Sequence, residues 1–301
     1  MHSVMLAAFL EFSRTAFSMS IAGIVLFIIA LWASKSDFAQ AHGFDKIVAL
    51  SNLCFAIPLA VFGAEHISAA KGIAQGVPKY MPWPLFWAYF IGFALIAAAL
   101  SIATKIGVRW SGLLFGIMMF LFVAMIHLPG ALASHERTAW VVVFREPSFA
   151  AGAWILSACA TNGWSPRGKS TLITVGRVVI GITAIFFSVQ QFLHPTLAYG
   201  VPLEKPMPEW IPGHALIGYI TGAILLIAGI SILLARKTRM AATYLGTWIL
   251  LLVVVVYGPI LIGSLVDPST AVKVEGLNYF ADTLLFAGAI LALAGAAPRF
   301  D

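Results

Sequence analysis

The sequence predicts an all-α polytopic membrane protein of about nine transmembrane helices, two parallel four-helix-bundle repeats behind an N-terminal helix. Three observations predict it: a shortage of charge, a succession of apolar runs of spanning length, and an internal likeness at a spacing of 130 residues. Of the 301 residues, 61% are hydrophobic and 10% are charged. Soluble domains carry about 25% charged residues, so a chain this poor in charge must have lipid as the solvent for much of its surface. The formal charge of +6 then reads as a topology signal rather than a nucleic-acid one, and nucleic acid is not an expected partner. Cys54 and Cys159 both lie in apolar runs and form no C-x-x-C. Both are expected to be buried small hydrophobes rather than a disulfide.

A helix needs about 20 apolar residues to cross the hydrocarbon core. Nine runs qualify: 17–33, 46–67, 84–104, 110–128, 139–160, 172–193, 213–235, 241–265 and 277–297. The fifth is interrupted by Arg145, Glu146 and Pro147; proline suits a first helical turn, so regular helix is expected from Pro147, with "WVVVF" before it at the interface. The first run is preceded by Arg14 balanced by Glu11. That is a poor n-region for a cleaved signal peptide, and a retained helix is expected.

The positive-inside rule sets the orientation. With the N-terminus outside, Lys35, Lys46, Lys105, Arg109, Arg167, Lys169, Arg177, Arg236, Lys237, Arg239 and Arg299 fall inside, eleven of the 18 cations. Nine of the 12 acids fall on the other side. The expectation is a bacterial inner-membrane protein, N-terminus out and C-terminus cytoplasmic.

The repeat is read from paired stretches. "VPKYMPW" (77–83) matches "MPEWIPG" (207–213), and "HLPGALAS" (127–134) matches "YGPILIGS" (257–264). "FGAEHI" (62–67) aligns with "FSVQQF" (187–192), and "EPSFAAGAWILSA" (146–158) with "DTLLFAGAILALA" (282–294). Each unit holds four spans, an even number, so both copies enter the membrane in the same direction, as parallel repeats do. The division is 1–45 for the N-terminal helix and its loop, 46–165 for the first unit and 166–301 for the second.

"GITAIFFSVQQF", the Pro-rich loop before a helix of small residues, and "LNYFADTLLFAGAILALAG" together resemble the DoxX-like family of four-helix membrane proteins, over roughly 46–160 and 172–297. The resemblance implies a bundle that can meet a quinone, as in the large subunit of thiosulfate:quinone oxidoreductase. A fused tandem pair departs from that family's single unit.

The candidate site lies at the expected outer face of the first unit, where Glu65, His66, His127 and Glu146 end neighbouring helices. Ionisable groups at membrane depth are expensive, and a role at a bundle interior is their default reading. Glu65 and His66 are about 100° apart on a helix, so both cannot face one ligand; His66 is expected inward. The second unit has Gln190-Gln191, Tyr257 and Asp282 at the matching places, polar but mostly uncharged. His135 and Glu136 read as solvated loop residues. "VPKYMPWPLFWAYF" places Tyr80, Trp83 and Trp87 where aromatics form the interfacial belt, or else a ring-lined mouth for a flat amphiphile. With Tyr257 and Asp282 they complete the set expected to contact a cofactor.

Four functions compete. In a quinone-interacting redox subunit, His66 or His127 hydrogen-bonds the quinone and Glu65 or Glu146 exchanges protons with the outer phase, histidine titrating near neutrality. The chain has no cysteine cluster for iron–sulfur and no clearly placed histidine pair for haem, so electrons would come from a soluble or membrane redox partner on the outer face. The alternatives are a small-amphiphile or ion transporter, a His-carboxylate metal site lacking any H-x-x-x-H spacing, and a scaffold for a secreted enzyme. No G-x-G-x-x-G or P-loop supports nucleotide use.

Overall fold

The structure, a computed structural model, describes residues 2–160, 163–202 and 204–298, with residues 2–13 as backbone only. Arg299, counted above with the inner cations, and the Glu11 side chain lie outside the described residues. Among the described residues the secondary structure is helical apart from one isolated bridge between Leu197 and Pro206. The long helices are α1 (His2–Gln40), α2 (Asp45–Ser68), α3 (Pro84–Thr104), α4 (Val108–Ser134), α5 (Arg137–Cys159), α6 (Pro166–Leu193), α7 (His214–Leu233), α8 (Thr238–Val266) and α9 (Thr270–Ala296). Eight are long and apolar enough to cross a membrane; α5, with Arg137, Arg145 and Glu146, is the one that composition sets apart. This is the architecture of an all-α polytopic membrane protein.

Two local departures from regular helix matter for the site. The fifth helix does not begin at Pro147; it starts at Arg137 and runs through the proline. A proline there removes one backbone donor and crowds the preceding turn, and side chains supply hydrogen bonds to the neighbouring carbonyls. Ser148 Oγ donates to Arg145 O (2.6 Å) and Thr183 Oγ1, from α6, donates to Phe144 O (3.1 Å). Arg145 and Glu146 therefore sit mid-helix and not at a helix start. The second departure occurs twice: α4 widens into a π-turn at Val123–His127 and α8 does so at Val253–Tyr257. Each turn is followed by a proline, Pro129 or Pro259, whose missing N–H the widened turn accommodates. The two turns lie 130 residues apart.

Packing joins the two sets of four helices rather than keeping them as separate bundles. Within the first set α2 packs on α3 and α4 on α5; within the second, α6 packs on α7 and α8 on α9. The first and last helices of the same set make at most a passing contact. Instead α2 lies against α9, α6 lies against α5, and α5 crosses α9 directly. Small residues permit these crossings, as is usual between helices in lipid: Gly152 meets Ala289, and Gly288 lies against the backbone of Cys54 and Phe55. α9 is buried along most of its length, while α1 and α4 are largely exposed. Cys54 is in that core, but Cys159 is exposed, because the end of α5 emerges from the packing, contrary to its expected burial.

At the end of the bundle away from His66, polar side chains hold the helix C-termini together, where unpaired carbonyls favour donors and cations. Asn52 Nδ2 donates to Ile102 O (3.0 Å), and at the equivalent place Arg177 donates to Ile232 O and Leu233 O (2.5 and 2.8 Å). Arg239 donates to Ala294 O (3.0 Å) and pairs with Asp45 (2.6 Å), and Lys105 pairs with Asp37.

Candidate functional site

A cavity of about 1270 Å³ opens between α3 and α4. These two helices are the loosest neighbours of the first set, and exposed Phe90, Leu114 and Leu121 form part of the lining, so the opening is sideways, towards lipid. From Trp87 near one end of α3 to Ser101 near the other, the lining follows the helix for about 21 Å at 1.5 Å per residue. Its walls are almost wholly apolar until the α2–α3 loop end, where His66, His127, Arg145, Glu146, Tyr279 and Asp282 converge.

Each polar group is placed by its helix. His66 projects from the last turn of α2, and its Nδ1 bonds to Phe62 O at 2.8 Å. A carbonyl only accepts, so Nδ1 carries the proton, and in the neutral ring Nε2 presents a lone pair. Glu65, one residue earlier, points elsewhere: Asn278 Nδ2 of α9 donates to its carboxylate at 3.2 Å, and Glu65 is not part of the lining. The 100° separation expected on a helix is what divides the pair. His127 reaches the cavity from the π-turn of α4.

Arg145 is the electrostatic centre. Its guanidinium lies 2.8 Å from Asp282, 3.6 Å from Glu204 and 3.9 Å from Glu146, and it is only 9% exposed. A buried charge must be paired to be tolerated, and three carboxyl groups around one guanidinium leave no spare positive charge in the site. Asp282 and Glu204 come from the second set of helices and its long loop, so the polar end of the cavity is shared although its apolar length belongs to the first set. Sequence reasoning set Arg145 beside Glu146 at the outer face but gave it no partner, and it missed Glu204, Asn278 and Tyr279. A lone arginine in an apolar helix that also carries a proline was the available signal for the first.

The expected cofactor contacts divide. Trp87 and Asp282 line the cavity, and Trp87 Nε1 donates to Pro82 O at 2.9 Å. Tyr80 and Trp83 do not reach it; they are 70% and 75% exposed on the loop, as interfacial aromatics are. Tyr257 is fully buried in the second set, and its hydroxyl donates to Tyr199 O at 2.5 Å.

That contact belongs to a plug. In the second set the loop after α6 folds back into the bundle, with Ala198, Tyr199, Val201, Met207 and Ile211 all buried. Its two limbs pair through Ala198 N to Lys205 O and Met207 N to Thr196 O, both 2.9 Å. Gly200 takes φ +79° at its tip, a conformation that favours glycine. Tyr199 donates its hydroxyl to His214 O at 2.9 Å, and burial pushes that phenol up to about 12. Across the α7–α8 groove Trp248 Nε1 donates to Thr221 Oγ1 at 3.2 Å; the residues 130 positions earlier, Met118 and Ile91, line the open cavity. Comparison with protein-family models, curated proteins and solved structures gave no match for this chain.

Proposed function

We propose that the first half of this membrane protein binds a long-tailed amphiphile with a neutral polar head, a lipoquinone or its quinol. One observation carries the reading: the cavity between α3 and α4 opens towards lipid, runs about 20 Å along the bundle and ends at His66, His127 and the Arg145 cluster. A tail of isoprene units suits the apolar length. An anionic head does not suit the polar end, because Arg145 is already balanced by Asp282, Glu204 and Glu146. A head with oxygen atoms finds partners instead in the two imidazoles. A quinol bound there would donate one hydroxyl to the lone pair of His66 Nε2 and meet His127 with the other, and the nearby carboxyl groups would be its route for protons. The resemblance to DoxX-like proteins leads to the same class, with a redox partner on the outer face of a bacterial inner membrane supplying or removing electrons.

Organic extraction and mass spectrometry of the purified protein tests this, wild type beside His66→Ala and His127→Ala. The expected result is quinone at near-stoichiometric amount in the wild type and its loss in both variants. Absence of quinone from every sample contradicts it. A second reading, movement of the amphiphile across the bilayer, has the reach of the cavity to Ser101 and Ser111 in its favour; flux in liposomes without redox change would distinguish it.

A further inference from the structure

We infer that the head group bound in the first half offers a hydrogen-bond donor to His66 and an acceptor to His127, on opposite edges of one planar group. This deepens the proposed function and rests on it.

The second half shows what its own version of the site holds. The peptide group joining Tyr199 and Gly200 is gripped from both edges. Its carbonyl accepts from the Tyr257 hydroxyl at 2.5 Å, and its N–H donates to Gln191 Oε1 at 3.1 Å. Ile249 lies beside it, 3.6 Å from where a Cβ on Gly200 would stand. Each of these three has a counterpart in the open cavity. Gln191 corresponds to His66 at the 125-residue spacing of "FGAEHI" and "FSVQQF". Tyr257 and Ile249 correspond to His127 and Met119 at the 130-residue spacing. His66, His127 and Met119 all line the cavity. The plug peptide therefore occupies, in the second half, the place where a ligand head would lie in the first.

At His66 hydrogen-bond polarity is kept as well as position, and at His127 it can be matched. Towards Gly200 N, Gln191 uses its acceptor oxygen; His66, with Nδ1–H committed to Phe62 O, faces the cavity with an accepting Nε2. Towards Tyr199 O, Tyr257 uses its donor hydroxyl; His127, without a side-chain hydrogen bond among the described residues, carries both a ring N–H and a lone pair, and its N–H can take the place of that hydroxyl. In a trans peptide the donor and acceptor point to opposite edges of one plane. Two head chemistries share that pattern: a secondary amide, and a ring with hydroxyl groups such as a quinol. An ester or an oxidised quinone offers acceptors only and leaves Nε2 of His66 without a donor.

The test uses the full-length protein in lipid nanodiscs and probes differing in the donor alone. N-dodecylacetamide is titrated against dodecyl acetate, and a decyl-tailed benzoquinol, kept reduced, against its benzoquinone. A buried acceptor left unsatisfied weakens binding by about tenfold or more, so the amide or the quinol is expected to bind at least that much tighter than its partner. The pair showing the preference identifies the source of the head. His66→Gln, which installs the side chain used in the second half, should keep the preference, and His66→Leu should abolish it, with melting temperature and elution profile as folding controls. Equal binding within both pairs overturns the inference and leaves amphiphile binding standing. A preference that survives in a folded His66→Leu overturns it too. If none of the four probes binds, the proposed function falls and the inference with it.

Discussion

The two halves of the bundle meet at equivalent contacts and part company at one place. Asn52 on Ile102 O and Arg177 on Ile232 O brace the same helix end, and the π-turns of α4 and α8 recur at the same spacing. In the second half the loop after α6 turns Ala198, Tyr199, Val201, Met207 and Ile211 inward, and Gln191 and Tyr257 hold the peptide at the tip of the plug while Trp248 crosses the α7–α8 groove. In the first half the shorter connection, 69–83, lines the cavity with Ile73, Val77 and Met81 without filling it, and the positions of Gln191 and Tyr257 are taken by histidines facing that cavity. One packing scheme has thus been completed in two ways. Where side chains and backbone fill the space, polar groups contribute stability; where the space is left open, the same positions carry groups that can meet a ligand. Charge follows the same division, since Arg145 has Ala281 as its counterpart in α9.

The comparison can be broken at several points. The largest expected effect is Arg145→Met, which strands Asp282, Glu204 and Glu146 around a lost cation. Removing one partner of a buried ion pair costs about 3–5 kcal/mol, so the variant should melt far below wild type in a thermal-shift assay, whereas Ala281→Val, at the matching place, lacks this electrostatic penalty. Next comes closure of the first cavity by the residues of the second. Ile91→Thr with Met118→Trp should lower amphiphile affinity by about a hundredfold, roughly 2.7 kcal/mol, with little loss of melting temperature. Smaller again is the paired removal of donors. Tyr257→Phe leaves the carbonyl of the plug without its partner and should lower stability by about 1–3 kcal/mol. His127→Phe should leave stability within about 0.5 kcal/mol yet weaken binding, and denaturation and titration together separate the two. Asn52→Ala is the mildest of the variants expected to lose stability, about 1 kcal/mol for one hydrogen bond to a helix end, read in the same denaturation assay.

Much of this was legible in the sequence because lipid imposes a blunt code. Apolar runs of spanning length mark the helices, and "FGAEHI" against "FSVQQF" sets His66 opposite Gln191 from the sequence alone. The adjacency of Glu65 and His66 predicted that only one could face a ligand, and His66 is the one in the cavity. Three things were hidden. Pro147 read as a helix start because the hydroxyls of Ser148 and Thr183, one of them on another helix, are what let α5 continue through it. The pairing of Arg145 with Asp282 depends on the crossing of α5 and α9 at Gly152 and Ala289, a long-range contact with no local signature. The inward turn of "KPMPEWIPGH" was hidden because prolines and aromatics suit both an interfacial rim and a folded-back loop; only the burial of Met207 and Ile211 distinguishes them.

The most direct test of the account is photolabelling in lipid nanodiscs with a decyl-tailed quinone carrying a diazirine on its tail, followed by peptide mapping. Labels concentrated on the α3 and α4 segments between Ile91 and Met118, competed away by unlabelled quinone and absent from α7 and α8, are what an open first half and a plugged second half predict. Equal labelling of the two grooves, or labelling that unlabelled quinone does not displace, would contradict it.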